Sequence, residues 1–480
     1  MTSDSMALAC QAGASRSGCE VEQVPSAGEP PPVSSPGAAL LFLLLGLVSS
    51  ALRVAFYLSG AVRPPGALIW AAGLLSAAGL FGLWTGTRRA LSAPTAPARL
   101  RAAPSQATAA VFIGFLGLYA ATQAPPTPYN EHVRLAEALL HGHTWVSAPS
   151  YMEHVTVNGH AYLLHPPLSA LLLMPLVALL GLRVDQTAVA VVLGAGEIAL
   201  AWRLTGLLGL ATQGRVWLVL FFGAGTTLWY EATLGASWDF ALLVGAGAVL
   251  LTLNELFGRG RPWLVGALAG LSALARYDLA LAWPLWALLL AARGQRLRRV
   301  AGVLYGYAFA GVIFVIFNEL RFATVGDISF WLWHRQDRYA LVRPGGPFAL
   351  VHLPFNLYTL LFMPPIYDAK PPYIHPQMMG QGLLLTSPAF LLALRPSFLC
   401  PTAGLLYLAT VLIMVPGLLV YANGFVQFGA RYYVQVYPLL LALMALGLGR
   451  RADQLTKLLV TASIVLVAYG VWHVRWLGFG

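Results

Sequence analysis

The sequence predicts an all-α protein, a polytopic transmembrane helical bundle. Its 480 residues are 58% hydrophobic and only 10% charged, so there are too few charged side chains to cover a soluble core of this length. Long apolar segments follow one another along the chain, and the longest, at about twenty residues, match a hydrocarbon layer about 30 Å thick. The 48 glycines favour close helix–helix contact in lipid.

The basic residues predict how the segments are oriented in a membrane. The net charge of +11 is better explained by basic cytoplasmic loops than by nucleic-acid binding. The clusters lie at positions 88–101, 203–215, 259–261, 293–299, 395 and 450–457. They share one side only if segment 166–181 does not cross. Because that segment is short and contains Pro166, Pro167 and Pro175, we predict that it lies in the outer interface or re-enters.

The resulting topology has about thirteen spans, a cytoplasmic N-terminus and an outer C-terminus. Residues 1–37 are rich in Ser, Gly, Pro and Glu and lack the apolar run of a signal peptide, which predicts a disordered cytoplasmic tail. Residues 38–107 are predicted to form two extra N-terminal spans and a basic cytoplasmic loop, and residues 108–480 the transmembrane core. The core has two outward loops, 125–165 and 318–380, that are too long to be simple connectors.

The first outer loop contains a segment, 129–141, whose apolar and polar residues fall on opposite arcs of a helix. We predict a helix that lies flat on the membrane, with its polar face towards a cavity. Glu131 at its start would be partly desolvated and could act as a general base. The alternative is a solvated interfacial helix whose acidic side chains pair with Arg134. His141 and His143 could bind a metal, but no Cys or Asp at ligand spacing supports this.

Ionisable residues also occur at the outer edges of predicted spans, where they are costly unless they are paired or functional. Asp239 opens one such span. Arg276 sits at an outer turn, where it could instead form a local pair with Asp278. Arg431 has no acidic residue nearby in sequence, so a ligand phosphate is a natural partner for it.

Several motifs follow one another in a characteristic order from Ala109 onward. They are LAEALLHGHTWV (135–146), NGHAYLLHPPL (158–168), LWYEATLGASW (228–238), NELRF (318–322), the stretch 356–365 and FGARYYVQVYP (428–438). In this order they resemble the GT-C superfamily of membrane glycosyltransferases. That superfamily includes the protein mannosyltransferases of glycosyltransferase family 39 and the lipid A aminoarabinose transferases.

The resemblance implies a GT-C-like core in which an acceptor hydroxyl attacks the anomeric carbon of a polyprenyl-phosphate-linked sugar at the outer membrane boundary. It implies a carboxylate base in the first outer loop, here Glu131. It also implies cationic side chains that hold the departing phosphate, here Arg431 with Arg276. The remaining predicted substrate-binding residues are Glu153, His165, Trp238 and Asp239.

The implied partners are a polyprenyl-phosphate-linked sugar donor, a lipid, glycan or protein acceptor, and membrane lipids, with no nucleic acid. No metal ligands are assigned and no cofactor is specified, although a divalent metal could assist. The implied location is a bacterial plasma (inner) membrane, in which this multi-pass protein would have its active site outside the cytoplasm.

The sequence departs from the family pattern at two positions. The family usually has an acidic pair at the start of the first outer loop, but an ungapped alignment puts Pro128 and Tyr129 there, and Glu131 is the nearest acid. The usual lysine before Pro-Pro is His165. Either Glu131 substitutes through a small shift of the helix, or this member is catalytically altered.

Two alternative functions stay open. A flippase or transporter of lipid-linked saccharides would require ionisable groups in the middle of the membrane. Glu197 is the clear mid-span carboxylate, and it could face a cavity or pair with Arg203. The other alternative is a non-catalytic scaffold with the same fold.

Overall fold

The computed structural model describes residues 103–151, 153–337, 343, 345–448 and 451–478. The predicted tail of residues 1–37 and the predicted spans before residue 103 lie outside the described residues. Within them the chain is mostly helical, with two short antiparallel hairpins, β1–β2 (His154–Val157 and His160–Leu163) and β3–β4 (Ile366–Tyr367 and Ile374–His375).

Seventeen α-helices follow in the described residues, joined in places by 3₁₀ turns. They are α1 (Ala103–Thr122), α2 (Glu131–Leu140), α3 (Leu168–Leu180), α4 (Gln186–Leu207), α5 (Thr212–Ala224), α6 (Leu228–Leu234), α7 (Ser237–Phe257), α8 (Pro262–Ala275), α9 (Trp283–Ala292), α10 (Leu297–Val300), α11 (Gly302–Phe322), α12 (Ser329–Gln336), α13 (Leu353–Leu361), α14 (Leu383–Thr386), α15 (Pro401–Leu419), α16 (Tyr437–Leu448) and α17 (Gln454–Trp476).

Six helical segments in this part of the chain are long and apolar enough to cross a membrane. They are α4, α7, α11, α15, α17 and the segment Arg431–Leu448, which joins a 3₁₀ turn to α16. Other apolar helices, among them α3 and α8, are shorter. The prediction of a mostly helical, membrane-embedded protein is confirmed, whereas the larger number of spans stays a prediction.

Helices α4 and α7 begin at the same end of the bundle, which we call the outer-loop end. Nε2 of Gln186, the first residue of α4, donates to the carbonyl of Gly235 at 2.8 Å, just before α7 begins. At the other end, Arg293 donates to the carbonyl of Phe257, the last residue of α7, at 3.3 Å. We call this the arginine end. The arginines of positions 203–215, 259–261 and 293 therefore lie at the opposite end of the helices from the first outer loop.

Helix α3 starts and finishes at the outer-loop end. It packs alongside α2, and the 3₁₀ turn Gly181–Arg183 that follows it also contacts α2. The chain then reaches Asp185, whose carboxylate caps the start of α4 by accepting from the backbone N–H of Thr187 at 2.9 Å. Whether segment 166–181 crosses the membrane stays a prediction.

Helix α2 forms where periodicity predicts it, but its burial differs from the prediction. Glu131 and His132 are buried, whereas Leu140 of the predicted apolar arc is 40% exposed. The reason is that the start of α2 packs against the start of α7, so contact with another helix overrides the amphipathic arc. Arg134 bonds to Asn130 at 3.0 Å rather than to an acidic side chain, and the alternative of acids paired with Arg134 is wrong.

The β1–β2 hairpin is anchored by a group of residues that we call the Arg321 cluster: Arg321, Asp327, Ser329, Phe317 and Phe322. Arg321, on α11, donates to the carbonyl of Leu163 at the end of β2 and pairs with Asp327 at 3.2 Å. Its guanidinium also lies over the rings of Phe317 and Phe322, at 4.7 and 4.5 Å. The Asp327 carboxylate is held in turn by the backbone N–H of Ser329 at 2.7 Å.

Helix α11 is held to α8 by glycines that allow the two backbones to approach closely. A Cβ added at Gly306 would lie 2.2 Å from the backbone nitrogen of Ala267, and one at Gly266 would lie 2.1 Å from the carbonyl oxygen of Val303. Small residues at a helix crossing favour association in lipid. The opposite side of α11 exposes large apolar side chains such as Phe309.

Candidate active site

Ser237, at the start of α7, fixes the position of α2. Its hydroxyl accepts from the backbone N–H of Glu131 at 2.7 Å and donates to the carbonyl of Tyr129 at 2.7 Å. Nε2 of His132 donates to the Ser237 carbonyl at 2.8 Å. These bonds bring a loop residue and a span residue together across 106 positions of sequence, and they place Glu131 beside Trp238.

Glu131 holds the part of the first outer loop that contains Ser150 and Tyr151. Its Oε1 accepts three hydrogen bonds, from the backbone N–H of Ser150 at 2.5 Å, the Ser150 hydroxyl at 2.7 Å and the backbone N–H of Tyr151 at 2.9 Å. The residue is 1% exposed, and its Oε2 has no hydrogen-bond partner in the described chain. A role for Glu131 as the general base stays a prediction.

Three aromatic rings lie together next to this part of the loop. Tyr129, Tyr151 and Trp238 lie within 5.0–5.2 Å of one another, centroid to centroid. The indole N–H of Trp238 is buried and finds no hydrogen-bond partner among the residues described. Rings of this kind can stack on the C–H face of a sugar, and an unpaired N–H can donate to a sugar hydroxyl.

Arg431 lies on the other side of Trp238. Its guanidinium carbon is 5.2 Å from the centroid of Trp238 and 5.5 Å from that of Tyr432. Gly429, with φ of +79°, makes the turn before it, and a Cβ there would lie 2.3 Å from Cγ2 of Thr227. Arg431 is 5% exposed, and no hydrogen-bond partner for its Nε occurs within the described ranges.

Three carboxylates act electrostatically on Arg431, those of Asp239, Glu153 and Glu231. Asp239 and Glu231 are fully buried and interact with each other. They come together because Gly235, with φ of +63°, ends α6 in a left-handed conformation before α7 begins. We call Arg431, Trp238, Tyr432, Glu153, Asp239 and Glu231 the Arg431 cluster.

Glu153 enters this cluster from the start of the β1–β2 hairpin. Its carboxylate lies 3.4 Å from Nε2 of His165, and the backbone N–H of Leu164 donates to its carbonyl at 3.2 Å. Burial by itself raises the pKa of Glu153, but the imidazole of His165, 3.4 Å away, and the charges of Arg431 and Arg276 outweigh burial and lower it. Glu153 is therefore ionised at neutral pH.

Two neighbouring residues, His132 and Tyr151, also have pKa values that differ from their usual ones. His165 packs against His132 with ring centroids 4.8 Å apart. Burial, and then the charge of His165, lower the pKa of His132 well below its usual value, so His132 is neutral. Burial, followed by the charge of Glu153, raises the pKa of Tyr151, whose hydroxyl therefore keeps its proton.

Arg276 forms an ion pair within the protein and also faces the ring of Tyr432. It pairs with Asp278 at 3.3 Å, and Asp278 accepts from Nε2 of Gln435 at 2.8 Å, so the local pair considered from sequence is confirmed. Its guanidinium still lies 5.7 Å from the ring of Tyr432, the same ring that Arg431 contacts.

The structure therefore brings all seven predicted site residues into one region: Glu131, Glu153, His165, Trp238, Asp239, Arg276 and Arg431. Sequence reasoning missed Tyr151, Tyr432 and Glu231. Glu231 lies within the quoted stretch 228–238, and its position in an apolar segment was the available signal. Glu197 is buried on α4 without an ion pair to Arg203 in the described structure.

The metal alternative at the first outer loop has no geometric support. His141 accepts or donates at the carbonyl of Glu137, 2.9 Å away, and His143 packs on Trp145. Within the described residues, no group of three or more His, Cys, Asp or Glu side chains could hold a metal ion.

No protein-family model, curated protein or solved structure matches this chain. The resemblance to the membrane glycosyltransferases therefore rests on the motifs quoted above, and a functional proposal rests on the geometry of the Arg431 cluster.

Proposed function

We propose that the protein is a membrane glycosyltransferase with a GT-C-like core. It would move a sugar from a polyprenyl-phosphate donor to a lipid, glycan or protein acceptor at the extracytoplasmic face. The observation that supports this most is the Arg431 guanidinium, which is buried on two aromatic rings, has an unbonded Nε and forms no ion pair within 4.0 Å in the described residues. A buried cation with free hydrogen-bonding capacity is suited to an anionic ligand.

The reaction uses the cluster as follows. The acceptor oxygen forms a bond to the anomeric carbon, while the bond from that carbon to the phosphate oxygen breaks. The electron pair of the broken bond goes to the polyprenyl phosphate, whose growing negative charge Arg431 stabilises. The hydroxyl proton goes to a carboxylate at the site, and the sequence nominates Glu131 for this step.

The position of the cluster supports a lipid-linked donor. Asp239 and Arg431 open apolar segments that are long enough to cross a membrane, so the cluster lies where those segments emerge at the outer-loop end. A long isoprenoid chain can stay in the hydrocarbon layer while its phosphate reaches Arg431. The arginines of positions 203–215, 259–261 and 293 lie at the opposite helix ends, which supports a site outside the cytoplasm.

The proposal is tested with the purified full chain in detergent or liposomes. A panel of radiolabelled polyprenyl-phosphate hexoses and pentoses is supplied with lipid, oligosaccharide and peptide acceptors. We expect label to move to at least one acceptor class, and to do so much more slowly with Arg431→Gln. Failure to transfer from every donor to every acceptor would refute the proposal.

A second candidate, transport of a lipid-linked saccharide, is favoured by one observation. Glu197 on α4 is 3% exposed, and its Oε2 has no hydrogen-bond partner in the described structure. An unpaired carboxylate inside a span is a feature of transport pathways. Flipping of a fluorescent polyprenyl-phosphate sugar in liposomes, abolished by Glu197→Gln and unaffected by Arg431→Gln, would favour transport over transfer.

A further inference from the structure

Four carboxylates lie at or beside the Arg431 cluster, and they differ in access to a substrate. Glu231 and Asp239 are 0% exposed and Glu131 is 1% exposed, whereas the side chain of Glu153 is 17% exposed. A general base must come within about 2.6–3.2 Å of the hydroxyl it deprotonates. Of these four groups, Glu153 alone offers a carboxylate that an acceptor can approach without displacing protein atoms.

The hydrogen bonds of Glu131 fit a different task. All three donors converge on its Oε1, and two of them are backbone N–H groups of residues 150 and 151. A carboxylate bound in this way holds a loop in a fixed position. The loop leads directly to Glu153, so Glu131 sets where the Glu153 carboxylate stands.

The neighbours of Glu153 keep its carboxylate ionised and hold it in position. His165 is at 3.4 Å from its carboxylate, and the Leu164 N–H fixes its backbone. His132, which packs on His165, is tied through Nε2 to the Ser237 carbonyl. The charge of Arg431 also reaches Glu153, so the base and the cation for the leaving group share one site.

We propose, on the basis of the glycosyl transfer proposed above, that Glu153 is the general base and that Glu131 is a positioning residue. The acceptor hydroxyl gives its proton to the Glu153 carboxylate as its oxygen bonds to the anomeric carbon. The carbon–phosphate oxygen bond breaks, and its electron pair leaves with the polyprenyl phosphate beside Arg431. His165 holds the Glu153 carboxylate towards the acceptor.

The test compares two isosteric variants, Glu153→Gln and Glu131→Gln, in the full chain. A glutamine carbonyl oxygen can still accept the three hydrogen bonds made to Oε1 of Glu131, but a glutamine amide cannot take up a proton. We expect the wild type to lose rate at acid pH as Glu153 takes up a proton. We expect Glu153→Gln to lower kcat by about 10²–10⁴-fold and to lack this loss of rate at acid pH. We expect Glu131→Gln to lower kcat by less than about tenfold, with that acid limb intact.

A binding measurement separates loss of chemistry from loss of structure. Radiolabelled polyprenyl phosphate without sugar should bind Glu153→Gln as tightly as the wild type. Glu131→Ala, which removes the acceptor oxygen, should weaken this binding and lower the unfolding temperature. Slow transfer in Glu131→Gln beside fast transfer in Glu153→Gln would overturn the inference and leave the transferase proposal intact. No transfer by the wild type would overturn the transferase proposal itself.

Discussion

Two buried arginines of this protein have opposite environments. Arg321 donates to the Leu163 carbonyl, pairs with Asp327 and stacks on two phenylalanines. The Nε of each arginine lacks a hydrogen-bond partner in the described chain, but Arg321 bonds through its two other nitrogens. Arg431 is almost as buried and also lies on aromatic rings. Its carboxylate neighbours act on it through charge without forming an ion pair within 4.0 Å.

The difference indicates what each arginine is for. A buried charge that is paired with an acidic side chain and bonded to a distant carbonyl ties elements together, and removing it leaves another charge uncompensated. A buried charge with unused donors is costly in an empty protein and becomes favourable when a ligand supplies the acceptors. The Arg321 cluster is thus expected to support folding, and the Arg431 cluster to support chemistry.

The largest expected effect is on folding, in the Arg321 cluster. Arg321→Met leaves Asp327 buried without its partner, and we expect a loss of about 3–5 kcal/mol in the free energy of unfolding. Thermal or denaturant unfolding followed by tryptophan fluorescence in detergent measures it. Arg335→Met, on the exposed face of α12, is the matched control and should change stability little. Equal stability of the two variants would contradict a structural role for Arg321.

The next effect is on catalysis, in the Arg431 cluster. Arg431→Gln removes the positive charge that, in the proposed reaction, stabilises the leaving phosphate, and we expect transfer to slow by about 10²–10³-fold. Initial rates with a radiolabelled donor measure the change. Arg261→Gln, at the arginine end where Arg261 pairs with Glu255 at 2.9 Å, should leave the rate unchanged. A rate for Arg431→Gln close to that of the wild type would remove the distinction between the two arginines.

A smaller effect concerns the pH dependence of transfer. His165 lowers the pKa of Glu153, so His165→Gln should raise that pKa and let the carboxylate take up a proton at higher pH. We therefore expect the acid limb of the rate–pH profile to move to higher pH, and the rate at neutral pH to fall only a few-fold. Rate–pH profiles of the two proteins test this. An unmoved acid limb would exclude His165 as the partner that tunes Glu153.

The smallest effect concerns the three aromatic rings of Tyr129, Tyr151 and Trp238. Trp238→Phe keeps a ring beside Tyr129 and Tyr151 but removes the unpartnered indole N–H, and we expect about 1 kcal/mol of lost substrate interaction, seen as a several-fold higher KM. Trp145→Phe is the control, because Trp145 stacks on His160 at 4.3 Å, away from the cluster. A change in KM of the same size in both variants would argue against a contact between Trp238 and the substrate.

The fold class and the members of the site follow from local sequence features, but their contacts do not. Apolar length predicts the helices, and the isolation of Arg431 from acids in sequence predicts its need for a partner. The Arg321 bond to Leu163 joins residues 158 positions apart, so no local pattern announces it. Burial of Glu131 likewise depends on the meeting of α2 and α7, which periodicity in α2 cannot specify.

The glycine contact between α8 and α11 connects the thickness of the bilayer with the geometry of the candidate site. Helix α11 has only 28% of its apolar window buried, so most of that window is left for lipid, while Gly266 and Gly306 bring its backbone against that of α8. A thinner or thicker hydrocarbon layer would change the tilt of such a helix. Because Arg321 at its end is bonded to Leu163, a change in tilt would displace the end of β2 and the neighbouring His165. For the glycosyl transfer that we propose, we therefore expect a rate that depends on the thickness of the membrane.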